Sequence, residues 1–280
     1  MRFSLLGSGS SGNVAYIEAG GTRVLVDAGL SKAEIDKRLT KLPSDAAASL
    51  QDIDAVLVTH DHSDHGGHAA ALGRPLYATA GTKQALSLEA TRVLAGDAFT
   101  VGALRVLPVL LPHDAVETVG YVVSDGSSKV GILTDCGHDA PEVAQAYAGC
   151  DLLVLECNHD VTMLRYGPYP PSLKRRVGGR LGHLSNDQAA SLLRMMLQVG
   201  PPPKLVIAAH LSLANNRAQL AKSSLDRVLG RGGRVIVATS RGTPIFTIES
   251  GRVVSQPSRN EQLSFTFPSL QCELQRPNHD

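Results

Sequence analysis

The sequence lacks the features of a membrane or secreted protein. No stretch reaches the roughly eighteen apolar residues that cross a bilayer, and the first residues lack the apolar run and cleavage site of a secretion signal. The four cysteines show no Cys-x-x-Cys spacing, which argues against a disulfide framework and a zinc ribbon and favours reduced, mostly buried thiols. We therefore expect a cytoplasmic protein without a membrane partner.

A large excess of charge is also missing. The 27 basic and 26 acidic residues nearly cancel, so the net charge of +1 points to neither a nucleic acid nor a membrane, although a local patch can still exist. The chain of 280 residues is 43% hydrophobic, which is enough for a substantial core. The composition is that of an ordinary globular protein, and it does not indicate an oligomeric state.

Short apolar runs predict strands throughout the chain. The runs are RFSLLG, VAYIEA, TRVLVDAG, AVLVTH, PLYAT, LRVLPVLL, GYVVSD, KVGILTD, LLVLE, KLVIAAH, RVIVAT and PIFTIES. Helical patterns lie at about residues 32–42, 67–72, 82–88, 140–148, 185–197 and 216–229. Two sheets packed together with helices outside are therefore expected, which makes this an α/β protein.

Two local signals refine this outline. Ser185 and Gln188 form an S-x-x-Q capping box, which predicts the start of a helix just after Gly182 and His183. From about residue 252 the chain is polar and without periodicity. We expect one folded domain over residues 1–251 and a loosely ordered tail over residues 252–280.

The stretch AVLVTHDHSDHGGH, residues 55–68, is the strongest functional signal. Its apolar start predicts a buried strand, and His60, His62, Asp64 and His65 then fall on the loop where that strand ends. Imidazole and carboxylate groups are suitable ligands for zinc, manganese or iron. A solvated histidine-rich loop is the alternative, but four histidines and two aspartates in nine residues strongly favour a metal site.

Three further polar residues occupy similar positions. His113 follows the run LRVLPVLLP, Asp135 follows KVGILT, and His210 follows KLVIAA. Each would be weak alone, but together with the first cluster they complete the ligands for two metal ions. Two divalent cations about 3.5 to 4 Å apart can clamp a phosphoryl group.

The order of these residues resembles that of the metallo-β-lactamase superfamily of binuclear hydrolases. The resemblance runs from about residue 5 to residue 247 and implies a four-layer αβ/βα sandwich, with Asp27 as a structural aspartate that orients the metal-binding loop. It implies two sets of ligands, with Asp135 as a bridge between the metals. The first set would be His60, His62 and His113, and the second Asp64, His65 and His210. Zinc and manganese suit these ligands equally.

Longer motifs indicate one branch of that superfamily. The presence of Asp64 rather than cysteine after the two histidines, with Asp135 as the bridge, points away from the antibiotic-hydrolysing members and toward the phosphodiesterases. Five motifs are similar to those of the YycJ (WalJ) type of protein, a 5′ to 3′ exonuclease on DNA. They are GSGSSGN at 7–13, LLVLECNHDVTML at 152–164, YPPSLKRRV at 169–177, GHLSNDQAA at 182–190 and HLSLANN at 210–216.

This resemblance implies a binuclear phosphodiesterase with a nucleic acid as its substrate, DNA being favoured over RNA. Several alternatives stay open. One is an RNA-processing nuclease of the ribonuclease Z type, and another is an enzyme for small cyclic phosphodiesters or thioesters. A metal-binding regulatory protein without turnover is the alternative from a different class, which the complete ligand set argues against.

Catalytic roles follow from position and chemistry. Glu156 ends the strand LLVLE, and a carboxylate bonded to His183 would raise the basicity of that imidazole and orient it. His183 would then donate a proton to the leaving oxygen, and Asp64 would hold the attacking hydroxide by accepting a hydrogen bond. The alternative is that His183 only braces its loop.

A basic segment between two of the motifs is a candidate surface for the phosphate backbone. Tyr166 and Tyr169 in that segment are available for stacking on a base, and the alternative is a solvated face. Ser10 and Asn13 are expected as exposed polar groups of the glycine-rich turn beside the site. His159 is expected at the active site, either in contact with the phosphate or in support of the residues around the metals, and the alternative is a structural loop role. The predicted cations are Arg165, Lys174, Arg175 and Arg176.

Overall fold

The computed structural model describes residues 1–43, 46, 49–249 and 251–256. The strands are β1 (Arg2–Gly7), β2 (Val14–Ala19), β3 (Thr22–Val26), β4 (Ala55–Leu57), β5 (Leu76–Ala78), β6 (Thr91–Arg92), β7 (Phe99–Val101), β8 (Leu104–Leu110), β9 (Val119–Ser124), β10 (Lys129–Leu133), β11 (Leu152–Glu156), β12 (Leu205–Ala209), β13 (Val235–Val237), β14 (Ile245–Glu249) and β15 (Arg252–Gln256). The helices are α1 (Lys32–Leu39), α2 (Ser63–Gly66), α3 (Ala80–Ala85), α4 (Pro141–Tyr147), α5 (Val161–Tyr166), α6 (Pro171–Val177), α7 (Asn186–Val199) and α8 (Ala218–Leu229). Short 3-10 turns lie at Leu50–Asp52, Ala69–Leu72 and Gly230–Gly232.

The strands form two mixed sheets. One has the order β15-β14-β1-β2-β3-β4-β5-β6 and the other the order β13-β12-β11-β10-β9-β8-β7. Strands β3 to β6 are parallel to one another, and so are β10 to β13. Because parallel strands end at the same edge of a sheet, the residues that follow these strands gather at one rim of each sheet.

The apolar residues of the strands divide into layers according to strand alternation. On β10, Ile132 packs between the two sheets, whereas its neighbour Leu133 packs on the outer side against helices α4, α7 and α8. The first sheet is covered on its outer face by α1, whose Ile35 and Leu39 are fully buried. These layers confirm the four-layer αβ/βα sandwich.

Most of the expected elements occur. Each apolar run named above contains a strand, and the capping box is present, since Ser185 Oγ accepts from Gln188 N (3.2 Å) and Gln188 Oε1 accepts from Ser185 N (3.0 Å). The short helices α2, α5 and α6 were not expected from the sequence. None of the helices within the described ranges is both long and apolar enough to cross a bilayer.

The C-terminal boundary differs from the expected one. Strand β15 pairs antiparallel with β14, so folded chain continues from residue 251 to Gln256. The polar composition hid this strand because it lies at the edge of its sheet, where Arg252 and Ser255 face solvent. The rest of the predicted tail, residues 257–280, lies outside the described residues.

Candidate metal centre

The site begins where strands end in an unusual backbone conformation. Asp27 follows β3, Asp135 lies two residues beyond β10, and His210 follows β12, and their φ angles are 66°, 60° and 56°. Left-handed conformations are uncommon outside glycine, although aspartate and histidine tolerate them better than most residues. Such strain persists where the surrounding structure enforces it, and it is frequent at functional sites. Three strand ends therefore share a left-handed backbone conformation that is typical of functional sites.

The histidine-rich stretch is partly helical. His62 is the N-cap of the one-turn helix α2, and Asp64 and His65 lie within that helix, which corrects the expectation that they occupy a loop. The helix is held against the exit of β3, because the His65 carbonyl accepts from Ala28 N (2.7 Å), and against the start of β2, because the Asp64 carbonyl accepts from Asn13 N (2.8 Å). A Cβ atom on Gly29 would lie only 1.8 Å from the same carbonyl oxygen, so this contact requires glycine.

The predicted ligands converge in space. Within each of the following groups, one potential ligand atom per residue lies within 4.8 Å of the others. The groups are His60 with His62 and His113, Asp64 with His65 and His210, and Asp135 with His60 and His65. Each of the ligands expected from the sequence is therefore in the cluster, with Asp135 beside members of both sets.

Three of these histidines are oriented by a hydrogen bond from Nδ1. The pairs are His65 with Asp27 Oδ2 (2.6 Å), His113 with the Gly182 carbonyl oxygen (2.9 Å) and His210 with Glu156 Oε1 (3.0 Å). Because Nδ1 donates to these acceptors, the neutral form of each imidazole carries its lone pair on Nε2, as a metal ligand requires. The expected structural role of Asp27 thus has a visible basis, since Asp27 also accepts from Thr59 N (2.8 Å).

The donor set fits a divalent metal. His60 Nε2 is buried without a hydrogen-bond partner among the described residues, and Asp135 Oδ2 is buried with His65 Nε2 at 2.9 Å. Leaving a buried polar atom unpaired costs roughly 1 to 3 kcal/mol, and a cation between these atoms would satisfy both. Imidazole nitrogens mixed with carboxylate oxygens suit zinc and manganese alike.

The protonation states of His60 and Asp135 also suit metal binding. Burial, reinforced by the neighbouring His65, lowers the pKa of His60 well below its ordinary value, so His60 is a neutral imidazole. Burial alone would raise the pKa of Asp135, but His210 and His65 outweigh that effect and hold this pKa well below its usual range. A neutral imidazole and an ionised carboxylate are the forms that bind metals.

Glu156 connects the metal cluster to His183. It is fully buried, and its two oxygens accept four hydrogen bonds. Burial alone would raise its pKa, but the bonds from His183 and His210 lower it to about 2, so the carboxylate stays ionised. Glu156 therefore acts as a positioning residue for both histidines, whereas the sequence indicated only His183. Its donors are His183 Nδ1 (2.8 Å), His210 Nδ1 (3.0 Å), Cys136 N (2.9 Å) and Leu184 N (3.1 Å).

A cavity of about 320 Å³, which we call the metal cavity, opens over the cluster. Its floor includes Asp64, Asp135 and His210, and His183 lies on its wall. The Nδ1 atom of His183 is occupied by Glu156, so Nε2 is the nitrogen left to exchange a proton with a bound molecule. The remaining walls come mainly from α6 and from the loops that contain Ser10, Tyr169 and Ser212.

The geometry of α6 determines which residues of the basic segment face the metal cavity. Leu173, Arg176 and Val177 lie on one face of α6 and line the metal cavity. Lys174 instead donates through Nζ to the Arg165 carbonyl oxygen (2.9 Å), away from the cavity.

Of the four cations predicted to bind the phosphate backbone, only Arg176 therefore borders the site. Arg165, Lys174 and Arg175 are not among the residues that line the metal cavity. The sequence could not separate them because it gave no sign that this segment is helical. Arg176 is paired with Asp114, a residue that sequence reasoning missed although it directly follows His113 (2.5 and 3.3 Å).

The structure places the other predicted substrate contacts in different surroundings. These residues are Ser10, Asn13 and His159. Ser10 is exposed on the wall of the metal cavity, where it was expected. Asn13 is buried instead: its Oδ1 accepts from Gly9 N (2.8 Å) and its Nδ2 lies 2.9 Å from His65 Nε2, so it holds the turn against the ligands. His159 is only 3% exposed and does not line the cavity, because its backbone pairs with Ser185 below the surface.

Comparison with known proteins identifies the family. A model of the beta-lactamase superfamily domain matches residues 22–210. The chain belongs to the beta-lactamase superfamily. With the histidine and aspartate cluster described above, membership in the beta-lactamase superfamily makes the chain a metal-dependent hydrolase.

Two relatives within the superfamily match most of the chain. Exodeoxyribonuclease YycJ of Bacillus anthracis is 36% identical over 245 residues, which is 83% of this chain and 90% of the relative. Exodeoxyribonuclease WalJ of Streptococcus pneumoniae serotype 2 is 35% identical over 246 residues, covering 82% of this chain and 88% of the relative. The resemblance to the YycJ (WalJ) type expected from the sequence motifs is confirmed.

Solved structures of the superfamily share the fold. The metallo-beta-lactamase fold protein YhfI of Bacillus subtilis has a TM-score of 0.66 and 18% identity, covering 85% of this chain and 96% of its own. A diphosphatase of the PhnP family has a TM-score of 0.61 and 19% identity, covering 91% of this chain and 99% of its own. The short form of human tRNase Z has a TM-score of 0.61 and 17% identity, covering 89% and 100%.

Replacing a cluster histidine is expected to remove metal without unfolding the protein. In His60→Ala, the loss of a buried imidazole at the centre of the cluster should reduce metal affinity at least tenfold, on the order of 1.4 kcal/mol. The measurement is metal content after dialysis, with circular dichroism as a check of folding. The matched control is His68→Ala, which removes an exposed histidine outside the cluster. Equal metal content in the two variants would contradict the assignment.

Proposed function

We propose that this protein is a binuclear metal-dependent phosphodiesterase that degrades DNA from its 5′ end. The observation that carries the proposal is the similarity to two exodeoxyribonucleases at 35–36% identity over more than four fifths of the chain. The convergence of the ligand residues beneath an open cavity supports it. DNA is favoured over RNA as the substrate because both relatives carry a DNA-directed name.

Two metal ions are proposed from the arrangement of the ligands. His60, His62 and His113 would hold one ion, Asp64, His65 and His210 the other, and Asp135 would bridge them. Zinc or manganese ions bound there would supply an activated water and neutralise negative charge on the phosphoryl group. The two groups of converging ligand atoms, with Asp135 beside members of both, support this count.

The reaction needs a proton at the leaving oxygen. A new P–O bond forms to the oxygen of the attacking water, the P–O3′ bond breaks, and the departing O3′ takes up a proton. His183 is the proposed donor, because it lies on the cavity wall and Glu156 fixes its Nδ1. Asp64, on the floor of the same cavity, would accept a hydrogen bond from the attacking water.

Arg176 is the proposed contact to the phosphate backbone. Arg176 lines the cavity, and its guanidinium group is already paired with Asp114, so it is held in place before substrate arrives. An arginine that bonds two oxygens at once is well suited to a phosphate group. Ser10, on the same cavity wall, would add a hydroxyl contact.

We also infer that the protein works in the cytoplasm. Cys136, Cys150 and Cys157 are free and buried, as expected for thiols in a reducing compartment. The fourth cysteine, Cys272, lies outside the described residues. A second candidate function, hydrolysis of small cyclic phosphodiesters, is favoured by the modest volume of the metal cavity, about 320 Å³.

The decisive experiment compares polymers of the same sequence. The purified protein with added manganese is incubated with 5′-labelled duplex DNA or with matched RNA, beside its Asp64→Ala variant. Labelled mononucleotide released from DNA, and absent in the variant, is the expected result. Cleavage of small cyclic phosphodiesters with both polymers left intact would establish the second candidate instead.

Removing the proton donor is expected to lower kcat to an extent that depends on the leaving group of the substrate. His183→Ala should slow DNA cleavage by roughly 10²- to 10⁴-fold, because an O3′ alkoxide needs a proton as it leaves. Hydrolysis of bis(p-nitrophenyl) phosphate should change less than tenfold, because p-nitrophenolate leaves without one. The measurement is kcat for both substrates. A loss of similar size for both would show that His183 only braces its loop.

Neighbouring arginines on α6 provide a matched test of the phosphate contact. Arg176→Ala should raise KM for DNA by about 10- to 100-fold, since a hydrogen bond to a charged group is worth roughly 1.5 to 3 kcal/mol. Arg175→Ala should change KM less than threefold, because Arg175 is exposed and does not line the cavity. Steady-state kinetics at constant salt measures both. Equal effects of the two substitutions would instead favour the whole basic segment as the binding surface.

A further inference from the structure

A second cavity adjoins the metal cavity. It has a volume of about 310 Å³ and shares Ser10 and Ser212 with the metal cavity, so the two spaces meet at these two serines. The glycine-rich turn forms one wall, Ala218 at the start of α8 forms another, and residues 237–240 after β13 form a third. We call it the serine cavity.

The lining of the serine cavity differs in character from that of the metal cavity. No charged side chain lines it within the part of the chain that the structure describes, and its surface is made of hydroxyl and apolar groups. Leu213 on its wall is 93% exposed, which is unusual for a large apolar side chain. A phosphate group would find no counter-charge here, whereas a nucleoside has apolar ring faces and hydrogen-bonding edges that match.

The wall of the serine cavity is tied directly to the metal ligands. Ser8 Oγ accepts from His210 N (2.9 Å), and Gly9 N donates to Asn13 Oδ1 (2.8 Å). The Asn13 amide in turn donates to the Asp64 carbonyl oxygen (3.3 Å). A group bound in the serine cavity is therefore held at a fixed position relative to the metal cluster.

The position of His183 indicates on which side of the attacked phosphate the leaving oxygen lies. His183 lies next to α6, where its backbone N donates to the Val177 carbonyl oxygen (2.9 Å). The ring of His210 stands beside it at 5.3 Å between centroids, and the backbone of His210 contacts Ser8 of the serine cavity. The leaving oxygen, which takes its proton from His183, thus lies on the α6 side, and the serine cavity lies beyond His210.

We propose that the serine cavity binds the nucleoside that remains attached through its O5′ to the phosphate under attack. This inference rests on the proposed phosphodiesterase function and adds the site that orients the substrate. Leu213 and the apolar wall contact the base and sugar, and Ser10 and Ser212 lie where this nucleoside joins its phosphate. The serine cavity therefore sets which of the two ester bonds of a phosphate is broken.

Two isomeric esters test this directly. In thymidine 5′-(p-nitrophenyl phosphate) the nucleoside is joined through O5′, and in the 3′ isomer through O3′, while both release the same p-nitrophenolate. Wild-type protein should show a KM about tenfold lower for the 5′ ester, the size of effect expected from filling one small pocket. Thymidine 5′-phosphate should likewise bind more tightly than thymidine 3′-phosphate in calorimetry.

Filling the cavity should remove this preference. Ala218→Phe and Ser240→Phe place a ring in the serine cavity from different walls, and Leu213→Ser removes the exposed apolar contact without filling anything. Each should raise KM for the 5′ ester about tenfold and leave kcat/KM for the 3′ ester within twofold. The matched control is Gln219→Phe, an exposed neighbour of Ala218 on α8 that does not line the cavity.

The outcomes separate this inference from the proposed function. Wild-type protein that hydrolyses both esters at equal KM would overturn the inference and leave the phosphodiesterase intact. Variants that affect both esters equally, or variants that keep the 5′ preference, would also overturn the inference and leave the phosphodiesterase intact. Wild-type protein that hydrolyses neither ester with metal added would overturn the phosphodiesterase proposal itself.

Discussion

The buried carboxylate of Glu156 is the interaction on which the site depends most. It is an ionised group with no exposure to solvent, and such a group is tolerable only when its oxygens are fully hydrogen-bonded. Its four donors come from three separate segments, which follow β10, precede α7 and follow β12. One side chain therefore fixes the relative positions of three loops, and two of those loops carry a predicted ligand.

Asp27 performs the same function for the other sheet. It accepts from Thr59 and from His65 Nδ1, so the exit of β3 is bound to the segment that carries the histidine-rich cluster. Each sheet thus supplies a buried carboxylate that orients a histidine through Nδ1 and leaves Nε2 directed to the common cluster. Because both carboxylates lie outside the ligand sets, the geometry of the centre is set by residues behind it.

Much of the fold and the convergence of the predicted ligands could be read from the sequence, and the reason is the same in both cases. Strands appear as apolar runs, and ligands such as His113 and Asp135 are the polar residues just after them. What depends on distant segments was not predictable. The burial of Asn13 and His159, the pairing of Arg176 with Asp114, and the second partner of Glu156 all depend on contacts between loops far apart in the chain. To predict which side of α6 faces the cavity, one would have to know that the segment is helical.

The two sets of ligands have a consequence for how the protein matures. The predicted ligands run from His60 to His210, and they come from both sheets, the early ones following β4 and the late ones following β8, β10 and β12. A ribosome must therefore synthesise three quarters of the chain before the last ligand exists. Neither sheet alone offers all the predicted ligands, so a metal bound by ligands of both sheets would require that the two halves of the sandwich have closed on each other. Metal uptake is thus coupled to completion of the fold, and a truncated chain that ends before β12 would have a histidine-rich surface but no finished site.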